Sequence, residues 1–183
     1  MVGRRKQPEI SDRILDACVN YALVHGLPAR LAPLAAAAGV SQRMLIYHFG
    51  SRDALLRETL TRARERQLLF FGDILAPRPD EDYRRTLGRA WHVMTGTEGR
   101  RYLNLFGRLR EDAGQELWPD FRRDATVDWL PIIEEGLRTL RRPDDATLVL
   151  AVIRGLIMDL EATEDRARID QAFARFVRTL SPA

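Results

Sequence analysis

The chain has 183 residues, 45% of them apolar and 30% charged, with a formal net charge of +3. It is long enough to bury a substantial core, as one domain or two small ones. No run of about 18 uncharged apolar residues is present to span a membrane, the basic start MVGRRKQPEISDR has no apolar stretch behind it to act as a secretory signal, and the single cysteine, Cys18, excludes an intrachain disulfide. The expected compartment is therefore the reducing cytoplasm. The charge is unevenly spread: residues 1–67 carry 11 basic and 6 acidic side chains, the remainder 18 and 20. A basic first third suits a polyanionic partner, although a solvated charged surface explains the asymmetry equally well.

Helical periodicity runs through the whole chain and no segment alternates as a strand does. Ile10, Ile14, Ala17, Cys18, Tyr21 and Ala22 recur at helical spacing until Gly26 and Pro28 end the first helix. A short second helix is expected over Leu31–Ala38, with Pro33 tolerated in its first turn, and a third over Gln42–Phe49. Ser51 caps a long fourth helix reaching about Leu75, closed by Pro77 and Pro79. Helical segments follow near 81–95, 98–113, 119–140, 145–161 and 165–180, with Pro131 expected to kink the third of these or mark its start. The predicted fold is all-α with about nine helices. A three-helix domain over 1–55 is joined through the fourth helix to a helical bundle over 56–183, with no flexible linker between them.

The break at Gly39 has a physical reason. Two short helices crossing steeply need a residue of positive φ at the turn, a small residue where the backbones approach, and apolar inner faces. Gly39, Ala35, and the set Leu31, Leu34, Ala38, Val40, Leu45 and Phe49 meet those needs. Ser41 then caps the third helix. This is a helix-turn-helix. Gln42 and Arg43 open the third helix on its outer side, where a recognition helix meets base edges in the major groove. Arg43 suits a bidentate contact to guanine and Gln42 a pair with adenine. Tyr47, His48 and Arg52 stand where phosphates are gripped, beside the start of the fourth helix.

The stretches ILDACVNYALVHGL, LAPLAAAAGVS and MLIYHFGSRDALL resemble the first three helices of the TetR family of bacterial transcriptional regulators, the last matching the signature LYxHFxxKxxL. The likeness is dense over residues 10–60; beyond, size, helical character and AVIRGLIMDLEA agree. It implies a homodimer that binds a near-palindromic operator in double-stranded DNA and leaves it when a small molecule enters the C-terminal domain. Three positions depart from the pattern. Ile46 stands where the signature has tyrosine, so an aromatic phosphate contact passes to Tyr47; Arg52 replaces lysine; and Ala29 and Arg30 replace the capping Ser or Thr, leaving Arg30 as the phosphate contact there. Arg4, Arg5 and Lys6 form either an arm reaching the DNA or a solubilising tail.

In the C-terminal two-thirds, Trp91, Met94, Phe106 and Trp129 are the preferred liners of an apolar ligand pocket, with ordinary core packing the alternative for each. The last two helices carry wide apolar faces. Val149, Val152, Ile153, Leu156, Phe173 and Phe176 are expected at a two-fold four-helix interface, with Gly155 permitting close approach and a buried intrachain helix pair as the alternative. No catalytic, metal or cofactor pattern is present: His25, His48 and His92 are far apart, and neither HExxH, GxSxG nor a phosphate-binding glycine loop appears. The expected function is a repressor of the TetR type released by a ligand. An effector-independent dimeric DNA-binding or protein-interaction module remains the alternative.

Overall fold

The computed structural model describes residues 8–111 and 117–181. Among the described residues ten α-helices follow in order: α1 (Pro8–His25), α2 (Ala32–Ala38), α3 (Gln42–Phe49), α4 (Arg52–Leu75), α5 (Tyr83–Met94), α6 (Thr97–Glu111), α7 (Phe121–Val127), α8 (Leu130–Arg138), α9 (Ala146–Thr163) and α10 (Arg166–Thr179). A 3-10 turn, Pro143–Asp145, precedes α9, and no strand occurs among the described residues. The segment expected as one helix over 119–140 is two. Pro131 lies in the first turn of α8, where its missing N–H costs nothing, and the chain breaks ahead of it at Asp128 and Trp129.

The chain divides into two compact units: Met1–Gln67 with Arg101–Phe121, and Leu68–Arg100 with Arg122–Ala183. In the first, Ile14, Leu15 and Cys18 of α1, Leu34 and Ala35 of α2, Leu45 and Phe49 of α3, and Leu55 and Leu56 of α4 form one buried cluster. Burial of α4 therefore starts at the boundary expected at residue 55 and continues through Leu60 and Ala63, so the first unit extends to Gln67. A polar clasp fastens α4 to α1. Arg62 bonds Asp12 and Asp16, each at 3.1 Å, and Arg66 bonds Asp16 at 2.7 Å and Asn20 at 3.0 Å. Each surface pair contributes only about 0.2–1 kcal/mol; what the set adds is a fixed angle between the helices. Further along α4, the buried guanidinium of Arg64 donates to Gln67 Oε1 at 2.6 Å and sits 6.0 Å from the ring centre of Phe106, which stacks on Phe121.

In the second unit, α5 packs on α10, α10 on α9, and α9 on α8. The Trp91 ring stacks on Phe173 at 4.5 Å between centres, and its Nε1 donates to Asp170 Oδ1 at 2.7 Å. Arg166 donates to both the carbonyl and the hydroxyl of Thr95, at 3.0 and 3.1 Å, so the end of α5 is tied to the start of α10. This packing corrects half of the expected interface set. Val149, Ile153 and Phe173 are buried within their own unit, because α9 and α10 each spend one apolar edge on the protomer's core. Val152, Leu156 and Phe176 are half-buried, while Leu148 and Met158 are 50% and 63% exposed beside the exposed Ala151 and Gly155.

Candidate nucleic-acid interface

The turn between α2 and α3 is built locally. Gly39 takes φ +65°, its N–H bonding Ala36 O at 3.1 Å, and Val40 N donates to Ala35 O at 3.0 Å, closing α2 with a left-handed cap. Ser41 is extended, and its Oγ accepts from Met44 N at 3.2 Å. Gly50, at φ +84°, ends α3, and Ser51 Oγ accepts from Ala54 N at 3.1 Å to open α4. α2 starts without a side-chain cap, at Leu31. Two helix N-termini, α3 and α4, thus lie a few residues apart in sequence, each opened by a serine cap.

On α3, Leu45 and Phe49 are buried, whereas Gln42 and Arg43 are exposed, and among the described residues neither side chain makes an intramolecular hydrogen bond or ion pair. Arg30, in the loop before α2, is likewise exposed and unpaired among the described residues. Tyr47 is 43% exposed, its ring edge-on to His48 at 5.2 Å. Ser41 uses its oxygen as the cap and keeps its O–H to donate outward.

Two expected phosphate contacts are placed differently. His48 is only 7% exposed, and its Nδ1 shares a 2.8 Å hydrogen bond with Ser11 Oγ of α1. It lies three residues after Leu45, on the same helix face, and so turns into the domain. Arg52 is engaged: it donates to Asp53 at 3.0 Å and to the carbonyl of Pro28 at 3.3 Å, pinning the loop after α1 to the start of α4. Arg4, Arg5 and Lys6 lie outside the described residues. Met44 and Ile46, 38% and 39% exposed, share the outer face of α3. Their signal in the sequence is that they fall off the Leu45/Phe49 spacing that marks the buried face.

The family model for bacterial regulatory proteins of the tetR family matches residues 14–59, which span this interface and its supporting core. Residues 14–59 therefore resemble the N-terminal domain of that family. Solved structures carry the likeness beyond that domain. A proposed TetR-family transcriptional regulator from Rhodococcus sp. is 21% identical over 94% of this chain and 98% of its own, with a TM-score of 0.69. A proposed transcriptional regulator from Streptomyces coelicolor A3(2) is 25% identical over 93% and 99%, at 0.66. The multidrug binding protein EbrR, complexed with imidazole, is 22% identical over 100% and 98%, also at 0.66. No curated protein matches the sequence. The all-helical fold of these structures therefore extends over nearly the whole chain.

The four expected pocket liners are all buried. Phe106 belongs to the first unit and Trp91, Met94 and Trp129 to the second. Trp91 is held by Phe173 and Asp170, and Trp129 lies 5.9 Å from Phe71 between ring centres. An open groove of about 390 Å³ in the second unit is polar instead, bordered by Glu134, Arg138, Asp144 and Thr147; none of the four borders it. Among the described residues no helix is long and apolar enough to cross a membrane, and no group of His, Cys, Asp and Glu is arranged to hold a metal ion.

Proposed function

We propose that this chain is a cytoplasmic, homodimeric transcriptional repressor that reads a near-palindromic site in double-stranded DNA and is released from it by a small molecule. The observation that carries the reading is the outer face of α3, where Gln42 and Arg43 project, exposed and uncommitted, at a serine-capped helix start. That is the geometry by which a recognition helix presents its first residues to base edges. Arg43 and Gln42 are assigned the base contacts, and Arg30, Ser41 and Tyr47 contacts to the backbone. His48 and Arg52 are assigned to holding α3 and α4 in place.

Dimerisation is assigned to the water-facing strip of α9, Leu148, Ala151, Gly155 and Met158, with Val152, Leu156 and Phe176 at its margin. A second copy gives this strip an apolar partner, and two-fold symmetry gives the two recognition helices half-sites about one DNA turn apart. Release by a ligand is supported by the likeness to EbrR, which binds multiple drugs, and by α4, one unbroken helix from Arg52 to Leu75. A shift of its far end is carried to the end that abuts α3.

The test is selection from a random DNA pool by the purified protein and its Arg43→Ala variant. Enrichment of a near-palindromic site that the variant no longer selects is the expected result. Folded protein that enriches no site overturns the reading. For release, a ligand that weakens operator binding must itself bind less tightly to the complex by the same factor.

A further inference from the structure

The outer face of α3 holds two residues that charge and hydrogen bonding leave unexplained. An α-helix turns by about 100° per residue, so with Leu45, His48 and Phe49 facing inward, Arg43 and Tyr47 occupy the middle of the opposite face. Ile46 then stands at one edge of that face, one turn after Gln42, and Met44 at the other. Both are more than a third exposed, and neither is a member of the buried cluster of the domain. Single exposed aliphatic side chains are ordinary. Here two flank the reading residues on a helix of eight residues whose other outward positions are polar or amphipathic.

In the major groove the apolar feature of a base pair is the C5-methyl group of thymine. We propose that Ile46 and Met44 read thymine C5-methyl groups on either side of the bases contacted by Arg43 and Gln42. This inference rests on the DNA-reading role argued above and specifies the chemistry of the half-site. The preference has two sources. An aliphatic side chain against the methyl removes apolar surface from water on both partners. Against cytosine, the same side chain covers the N4 amino group without accepting from it, leaving a desolvated donor unpaired. The branched Cβ of Ile46 restricts its χ1, so its contact is formed with little loss of freedom and discriminates more sharply than that of Met44.

Replacing thymidine by deoxyuridine in the selected operator tests this directly, because it removes the methyl and keeps both the Watson–Crick pair and the O4 acceptor. The full-length protein is titrated with duplexes substituted at one position at a time, alongside Ile46→Ala and Met44→Ala, with thermal melting as the control for folding. The expected result is a loss of about fourfold in affinity at one or two positions of each half-site, the scale of one buried methyl. Ile46→Ala should abolish the penalty at one of these positions and Met44→Ala at another, both variants melting like the parent. A flat deoxyuridine scan on a duplex that the protein binds specifically overturns this inference alone, as does a penalty that survives in both variants. Failure to select any operator overturns the DNA-reading role, and this inference with it.

Discussion

Ser11 on α1 and His48 on α3 share a hydrogen bond of 2.8 Å, made inside the domain and not toward DNA. The bond sets the roll of α3 against α1, and with it the direction in which Arg43 and Gln42 point. His48→Ala should lower stability by about 1–3 kcal/mol, through the lost bond and the volume removed from a buried site. It should leave the slope of log affinity against log salt unchanged, because no phosphate contact is lost. Denaturant unfolding and operator titrations at several salt concentrations check this. A shallower slope with unchanged stability would restore His48 as a phosphate contact.

Gly39 sits at φ +65°, and a Cβ built on it meets nothing within 4 Å. The cost of a side chain there is purely that of the left-handed backbone. Gly39→Ala should therefore destabilise the domain by about 1–2 kcal/mol, and Gly39→Asn by less. Equal losses in the two variants, measured by chemical denaturation, would point to a steric cause instead.

Gly155 is exposed on α9 with open space around its Cα. Gly155→Arg should leave the fold of the protomer intact, while setting a large charge where the second copy is proposed to approach. The expected outcome is an unchanged helical circular-dichroism spectrum together with a monomer in sedimentation velocity. A variant that remains dimeric would move the interface elsewhere.

Cys18 is fully buried, and desolvation pushes its pKa up to about 11. At neutral pH it should react with thiol reagents only at the rate of unfolding, with immediate labelling in denaturant. A thiol pKa raised in the folded state gives stability that is complete below the ordinary value and declines as pH rises from there towards 11. Cys18→Ala should remove that alkaline decline.

Glu81 accepts from Arg89 at 2.6 Å and from Thr86 Oγ1 at 2.8 Å, and these bonds lower its pKa from 4.5 to about 2. A carboxyl depressed in the folded state contributes stability that is complete above the ordinary value and is lost as pH falls from about 4.5 towards 2. Glu81→Gln should therefore be the less stable protein at pH 7, and the difference should shrink across that acid window. A gap that stays constant with pH would show that the carboxylate charge contributes nothing.

Local chemistry makes much of this protein legible in its sequence. Gly26, Gly39 and Gly50 take positive φ, Ser41 and Ser51 cap the helices that follow them, and Pro33 and Pro131 lie in first turns. Each requirement is met within a few residues, so helix order, the helix-turn-helix and the exposed Gln42–Arg43 pair follow from the sequence alone. The direction of a side chain on a broad apolar or mixed face was decided only by tertiary packing. His48 turned inward because Ser11, thirty-seven residues earlier, supplied its partner, and Arg52 was drawn to the carbonyl of Pro28. Val149, Ile153 and Phe173 went to the protomer's own core, whereas Leu148 and Met158 stayed in water. Helical periodicity marks which residues are apolar on a face, but a face wider than one neighbour covers is divided by whichever helices pack against it, and those lie far away in sequence.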